Sequence, residues 1–171
     1  MHITNFEFKA VARDLGAFEK KLLTLNPVFI GEDNQTDTYF NVTKGRLKLR
    51  EGNIENSLIY YEREDVAQAK ESDILLYKFQ PQPPLKEILV KVHGIKVIVK
   101  KKRKIYFIKN VKFHFDTVED LGTFVEVEAI DDSGYMKIED LKKQCMKFAD
   151  LLGIKSSDYI SVSYSDLILQ R

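Results

Sequence analysis

The chain has 171 residues, of which 44% are apolar and 31% are charged, with 27 lysines and arginines against 26 aspartates and glutamates. This balance is typical of one globular domain and excludes the disordered and collagen-like classes of protein. The single cysteine, Cys145, excludes an intramolecular disulfide, and no spacing of cysteine and histidine indicates a zinc site.

Hydrophobic periodicity predicts eight strands and three helices. In chain order these are a strand at 3–11, a helix from Asp14 to Leu25, strands at 35–40, 45–51, 57–63 and 74–79, a helix from Pro84 to His93, strands at 95–109, 112–118 and 123–130, and a helix from Lys137 to Leu152. Asp14 is a good N-cap, and Gly94 and Gly153 are good helix stops. No linker or internal repeat is visible, so we predict one α+β domain over residues 1–171, with antiparallel strands in the majority.

Targeting and partner signals are weak. The first ten residues lack the basic and apolar regions of a signal peptide, and no apolar run approaches the roughly 18 residues of a membrane span, so we expect a cytoplasmic protein without a membrane partner. A net charge of +1 argues against a general nucleic-acid binder. The basic run 100–104 is the one local exception, and its strand-like flanks place it in a sheet.

Charges in the predicted strands follow the two-residue period, so each strand has one apolar and one ionic face. The ionic faces carry Asn5, Glu7 and Lys9, then Arg46, Lys48 and Arg50, then Lys101 and Arg103, then Lys112, His114 and Asp116, and finally Glu126 and Glu128. Alternation alone leaves open a two-layer sandwich with a solvated ionic face and a closed barrel with the charges inside. A charged interior would suit a multiphosphate compound with Mg²⁺ or Mn²⁺, with Glu7, Glu126 and Glu128 as oxygen ligands.

Several segments resemble the CYTH superfamily, the triphosphate tunnel metalloenzymes, which include class IV adenylate cyclases and thiamine triphosphatases. Residues 5–9 resemble its E-x-E-x-K signature, 35–50 its D-x-Y-F and R-L-R-x-R segments, and 114–128 its H-x-D-x-V-x-x-L-G-x-F-x-E-x-E segment. Residues 58–63, 99–106 and 163–167 are also similar to the family, so the resemblance covers nearly the whole chain. It favours a closed, eight-stranded antiparallel β-barrel forming a tunnel, with the helices packed outside.

The resemblance also implies roles for individual residues. It places metal, Mg²⁺ or Mn²⁺, on Glu7, Glu126 and Glu128, with Asp116 as a weaker candidate. It makes Glu7, Lys9, Glu126 and Glu128 the catalytic set. The phosphate-binding set that it implies is Lys9, Arg46, Lys48, Arg50, Arg63, Lys101, Arg103 and Lys112.

One position departs from the family pattern. Asn5 stands where the signature has its first glutamate, and an amide oxygen brings no charge to a metal, so we expect either a lower metal affinity or the loss of a second metal site. The implied substrate is a small-molecule triphosphate, either hydrolysed or, if it is ATP, cyclised to cyclic AMP. A non-catalytic binder of polyphosphate or nucleotide is the alternative, and a nucleic-acid module built on residues 100–104 is a third. The sequence is silent on assembly, and a homodimer is one of the states it leaves open.

Four further residues have plainer interpretations. His114 fits a structural hydrogen bond as well as a phosphate contact. Cys145 lies on the apolar stripe of the last helix and is expected to pack as a small hydrophobic residue. Tyr39 and Tyr164 are expected to be packing residues, although either could stack on the ring of a ligand.

Overall fold

Eight antiparallel strands dominate the computed structural model, which describes residues 2–62, 70–81 and 83–171. The strands are β1 His2–Val11, β2 Val28–Phe40, β3 Arg46–Glu51, β4 Ser57–Glu62, β5 Lys70–Lys78, β6 Ile95–Ile108, β7 Val111–Val118 and β8 Gly122–Asp131. The helices are α1 Leu15–Leu23, α2 Leu85–His93, α3 Ile138–Leu152 and α4 Tyr164–Leu169, with a short 3₁₀ turn at Ser156–Asp158. The α+β class with antiparallel strands is therefore confirmed.

The strands form one strongly curled sheet. Its hydrogen-bonded order is β1-β5-β4-β3-β2-β6-β7-β8, and β1 pairs with both β5 and β8. The wall is uneven, because β3 and β4 have six residues each while β2 has 13 and β6 has 14. Such curling separates a concave inner face from a convex outer face, so the two-residue period of each strand sends alternate side chains to opposite sides.

The apolar core lies on the outer face, beneath the helices. Phe8 of β1 and Phe113 of β7 are buried there with Leu141 and Cys145 of α3. Phe113 also meets Phe148 of α3 edge to face, with ring centroids 4.8 Å apart. Helix α2 covers a second outer cluster around Phe40 and Leu49. A third cluster, around Val99 and Phe124, shares the strand parity of Lys101 and Glu126 and therefore lies on the inner face, where Tyr164 of α4 packs against it. Most of the apolar side chains are thus buried outside, and the polar ones line much of the interior.

Predicted helix ends agree with the structure. The side chain of Asp14 accepts a hydrogen bond from the Ala17 amide, and Gly153 ends α3 in the left-handed region with φ 76°. The predicted burial of Cys145 is also confirmed, and its thiol donates to the carbonyl oxygen of Phe6. No helix in the described part of the chain is long and apolar enough to span a membrane.

Strands β2 and β5 and helix α4 differ from prediction. Strand β5 begins at Lys70, four residues before the predicted start. Strand β2 begins at Val28, seven residues before the predicted start, and it pairs with β6 past a register shift between Phe29 and Gly31. The irregularity there hides the strand period from a sequence reading. Helix α4 was not predicted, although Ser163 and Asp166 form its capping box.

Candidate functional site

The inner face encloses a cavity of about 820 Å³, which is within the range of small-molecule sites. Nine of the residues predicted to bind phosphate or metal line it, namely Glu7, Lys9, Lys48, Arg50, Lys101, Arg103, Lys112, Glu126 and Glu128. In the basic run 100–104, alternate side chains point to opposite faces of the sheet, as predicted. Lys101 and Arg103 are buried, while Lys100 and Lys102 are exposed. The strand period therefore brings residues from distant parts of the chain to one cavity.

The acidic side of the cavity is built by β1, β7 and β8. Glu126 of β8 is in register with Lys9 of β1 and His114 of β7, and Glu128 is in register with Glu7 and Lys112. Lys9 Nζ lies 3.5 Å from Oε2 of Glu126, and Arg103 lies 3.7 Å from the same oxygen. One donor atom each of His114, Glu126 and Glu128 lies within 4.8 Å of the others, which is close enough for a shared metal ion.

The two glutamates of β8 have different electrostatic surroundings. Burial alone would raise the pKa of Glu126, but the cations Lys9 and Arg103 outweigh it and hold the pKa well below its usual range. Burial raises the pKa of Glu128 to about 7, and the negative charges of Glu7 and Glu126 add to that rise. Glu126 is thus ionised at neutral pH, whereas Glu128 is near its midpoint.

His114 is buried between these groups. Burial and the nearby charges of Arg103 and Lys112 lower its pKa to about 3, so its imidazole is neutral. Its Nδ1 lies 3.2 Å from Oε1 of Glu126. The predicted structural hydrogen bond is therefore present, and the phosphate contact of His114 stays a prediction.

Asp37 of β2, which the sequence did not single out, is the anionic centre of the opposite side. The guanidinium of Arg50 donates to both of its carboxylate oxygens at 2.8 and 2.9 Å, and Lys101 and Lys48 donate to Oδ2 at 2.8 and 3.1 Å. Burial would raise the pKa of Asp37, but Arg50, Lys101 and Lys48 together hold it well below its usual range. One buried carboxylate therefore gathers three of the predicted phosphate-binding cations.

A second missed carboxylate comes from the turn between β3 and β4. Glu55 contacts Lys112 through one oxygen and Arg50 through the other, at 3.2 Å for Arg50. Burial opposes its ionisation, yet Lys112 and Arg50 hold the pKa of Glu55 well below its usual range. Because a turn has no strand period, parity could not place Glu55 in the cavity.

Arg103 is held by a different acid. Its guanidinium donates to both oxygens of Asp116, in register on β7, at 2.7 and 2.6 Å. Tyr164 at the start of α4 donates its hydroxyl to the same carboxylate at 2.8 Å, and Lys9 Nζ lies 4.1 Å from the Tyr164 ring centroid. Asp116, the weaker metal candidate, is therefore fully engaged with protein donors, and α4 closes this part of the cavity.

The wall from β4 and β5 includes an apolar stretch. Ile59 and Tyr61 of β4 and Ile74 and Leu76 of β5 line the same cavity, with Ser57 and Lys78 at one end of these strands. The described part of this wall thus has fewer charged groups than the walls from the other strands. This asymmetry is not expected of a site that binds only an inorganic anion.

Among the described residues predicted to bind phosphate, Arg46 does not line the cavity. Arg46 instead contacts Asp166 of α4 at 2.8 Å. Arg63 falls outside the described residues, so its role stays a prediction. Tyr39 is buried in the cavity wall, and Lys48 lies 5.4 Å from its ring centroid.

The donor set of the acidic side fits a divalent metal. Glu126 and Glu128 supply carboxylates, and two buried acceptor atoms, Asn5 Oδ1 and His114 Nε2, have no hydrogen-bond partner among the described residues. Asn5 at the same time donates its amide nitrogen to Glu128 at 2.5 Å. Buried acceptors without donors are costly in a folded protein unless something binds them.

Comparison with known proteins agrees with this geometry. The family model of the CYTH domain matches residues 4–164. A Pyrococcus horikoshii protein of solved structure is 28% identical, with a TM-score of 0.82, and the match covers 95% of this chain and 98% of that one. The search of curated proteins returns no match. The chain thus belongs to the CYTH domain family.

Two more distant structures share the fold. A proposed adenylate cyclase of Vibrio parahaemolyticus is 16% identical, with a TM-score of 0.79 and coverage of 96% of this chain and 97% of that one. A proposed adenylyl cyclase of Hippeastrum with a dominant triphosphatase activity is 13% identical, with a TM-score of 0.62 and coverage of 99% and 94%. At these identities the likeness supports the fold alone.

Proposed function

We propose that the protein is an enzyme that binds a triphosphate in the charged cavity and processes it with Mg²⁺ or Mn²⁺. The observation that carries this proposal is the arrangement of inward cations, Lys9, Lys48, Arg50, Lys101, Arg103 and Lys112, around a cavity that also holds Glu126 and Glu128. A triphosphate carries about four negative charges and needs such a set of donors. Membership of the CYTH family supports the same class of substrate.

Carboxylates of the protein hold the cations of the cavity in place. Asp37 holds Arg50, Lys48 and Lys101, and Asp116 holds Arg103. Phosphate oxygens are the natural further partners for these donors, since lysine and guanidinium groups can serve several acceptors. Fixed cations of this kind stabilise charge that moves onto a leaving phosphate without reorganising in the reaction.

The carboxylates of β8 take the chemical roles in the proposal. A metal held by Glu126 and Glu128, with Glu7 beside them, would supply charge neutralisation at the phosphate oxygens. Glu126, ionised between Lys9 and Arg103, can orient the hydroxyl or water that attacks phosphorus. Hydrolysis of a terminal phosphate and cyclisation of ATP both use these groups.

The apolar stretch of β4 and β5 supports an organic triphosphate, such as a nucleoside triphosphate or thiamine triphosphate, over inorganic triphosphate. Ile59 and Tyr61 face the cavity across from the cations, and they would contact a ring that the phosphates carry. Burial of such a ring is favourable by about 25 cal/mol per Å² of apolar area removed from water. Inorganic triphosphate carries no ring, so these apolar side chains would remain in contact with water when it binds.

Asn5 favours a second candidate function, binding without turnover. Its amide donates a hydrogen bond to Glu128, where a carboxylate would instead have been available to a metal. A site weakened in this way would take up a triphosphate through its cations and leave it intact.

One experiment separates these functions. Purified protein is incubated with ATP, thiamine triphosphate and tripolyphosphate, each with Mg²⁺, Mn²⁺ or EDTA, and the products are resolved by chromatography. We expect metal-dependent turnover of an organic triphosphate, and loss of it in the Glu126→Gln variant by at least about a hundredfold, as for other electrostatic active-site groups. Cyclic AMP with pyrophosphate would identify a cyclase, and orthophosphate a phosphohydrolase. Tight tripolyphosphate binding without any turnover would contradict the proposal and favour the binder.

Lys101 makes triphosphate binding depend on pH. Burial lowers its pKa to about 7, and the charges of Arg50, Arg103 and Lys48 add to this effect while Asp37 opposes it. The ammonium is therefore present below pH 7 and lost above it. We expect the affinity for tripolyphosphate in EDTA to fall about tenfold from pH 6 to pH 8, since one charge-assisted hydrogen bond is worth about 1.5–3 kcal/mol.

Isothermal titration calorimetry at several pH values checks this expectation. Deprotonation of Glu128 has the same sign, because it adds negative charge over the same range, so the Glu128→Gln variant should retain only the part due to Lys101. Lys101→Met should bind more weakly at pH 6 and show a shallower slope. An affinity that rises with pH in the wild type would show that Lys101 does not reach the phosphates.

A further inference from the structure

The structural hydrogen bond of His114 uses only one of its two ring nitrogens. His114 is 2% exposed, and its Nδ1 lies 3.2 Å from Oε1 of Glu126. Lys9 and Arg103 flank the other oxygen of Glu126, at 3.5 and 3.7 Å, which favours the ionised carboxylate. Nδ1 therefore carries the ring proton and donates it to Glu126.

The other ring nitrogen, Nε2, then carries no proton and presents a lone pair. Nε2 of His114 is buried and has no hydrogen-bond donor among the described residues. An imidazole that donates one N–H to a carboxylate and presents the other nitrogen is the usual arrangement of a metal-ligating histidine. A ligand atom of His114 lies within 4.8 Å of carboxylate oxygens of Glu126 and Glu128.

Asn5 shifts the ligand chemistry in the same direction. It brings an uncharged amide to the site, and its Oδ1 joins Nε2 of His114 as a buried acceptor of the acidic cluster that has no donor among the described residues. The available donors are thus an imidazole nitrogen, an amide oxygen and glutamate oxygens. Mg²⁺ prefers an all-oxygen shell, whereas imidazole ligands suit the first-row transition ions.

We propose that His114 is itself a ligand of the metal, with Glu128, while Glu126 orients its ring, and that the site consequently prefers Mn²⁺ and Co²⁺ over Mg²⁺. This inference rests on the metal site of the proposed function and changes one part of it. Glu126 orients the ring of His114 instead of binding the ion, because its two oxygens contact His114, Lys9 and Arg103, and His114 takes its place as a ligand. His114 is then the residue that determines metal specificity.

Metal binding without any substrate tests the inference. Metal-free protein is titrated with Co²⁺, followed by its visible absorption, and Mg²⁺ is then added as competitor. In a second measurement Mn²⁺ is bound and pulsed electron paramagnetic resonance is used to detect coupling to ¹⁴N. We expect ¹⁴N coupling in the wild type and Co²⁺ binding at least tenfold tighter than Mg²⁺ binding.

The His114→Gln variant should lose the ¹⁴N coupling and bind Co²⁺ about tenfold or more weakly, with little change for Mg²⁺. The matched control is His93→Gln at the end of α2, outside the residues that line the cavity, which should behave as the wild type. Thermal melting by circular dichroism confirms that each variant folds. The wild-type ¹⁴N signal needs no variant and decides the matter even if His114→Gln does not fold.

Absence of ¹⁴N coupling in the wild type, or equal competition by Mg²⁺, would overturn the inference. Nitrogen ligation in a protein that turns over no triphosphate would support it and contradict only the proposed function. Failure of the inference about His114 and failure of the proposed function are therefore distinguishable.

Discussion

The Asp37→Asn variant is expected to lose about 3–5 kcal/mol of unfolding free energy, the cost of removing one partner from a buried ion cluster. Asp37 is 1% exposed and balances Arg50, Lys101 and Lys48, all within 3.1 Å of its oxygens. An amide cannot balance these charges, and the three cations would repel one another in the folded state. Denaturation by urea at pH 6, where Lys101 is charged, gives the measurement.

Triphosphate should restore part of the lost stability. If Asp37 holds the cations that bind phosphate, tripolyphosphate oxygens can replace its carboxylate, and binding to the folded state alone stabilises it. We expect a larger stabilisation by saturating tripolyphosphate in Asp37→Asn than in the wild type. The control is Asp132→Asn, an exposed carboxylate at the rim of the same cavity. A loss below about 1 kcal/mol, with equal protection of both proteins, would show that Asp37 does not balance the cations.

The strand period explains why so much of the site was predictable. Glu126 and Glu128 are two residues apart on β8, as are Lys101 and Arg103 on β6, so any sheet with a buried outer face must send each pair to the same inner side. The apolar partners of these residues, such as Val125 and Val127, are buried in the outer core as expected. The assignment of inward and outward faces needed no knowledge of the pairing between strands.

What could not be predicted depends on that pairing. Asp37 and Arg50 meet because β2 and β3 place them in register, and Lys101 approaches from β6 on the other side of β2. Within its own strand Asp37 is one polar residue among several, so its sequence neighbours do not reveal three buried cations. Parity gives the face of a residue, whereas its partners are set by tertiary structure.

Helix α4 was missed for a different reason. It has six residues, too few for a helical stripe to be distinguished from chance. Its first turn brings Tyr164 into contact with Asp116 and Asp166 into contact with Arg46. The capping box of Ser163 and Asp166 is the one local signal, and such a signal becomes informative only beside a longer apolar pattern.

The Lys9→Met variant is expected to lower the rate of triphosphate turnover by about 10²–10³-fold, a typical effect of removing one preorganised charge from an active site. Lys9 Nζ lies between Oε2 of Glu126, at 3.5 Å, and the ring of Tyr164, whose centroid is 4.1 Å away. The contact with Tyr164 fixes one side of the ammonium, which then faces the carboxylate side of the cavity. Methionine keeps much of the packing and removes the charge.

Comparing the loss of the rate constant with the loss of affinity makes this prediction specific to a catalytic role of Lys9. Lys48, Arg50, Lys101, Arg103 and Lys112 remain in Lys9→Met, so tripolyphosphate affinity should fall much less than the rate constant. Lys9→Arg should recover part of the rate, because the charge returns with a different shape. Lys102→Met, an exposed and outward lysine of β6, is the matched control and should change neither quantity. Equal losses of rate and affinity in Lys9→Met would assign Lys9 to substrate binding alone, since only a contact that strengthens in the transition state lowers the rate constant more than the affinity.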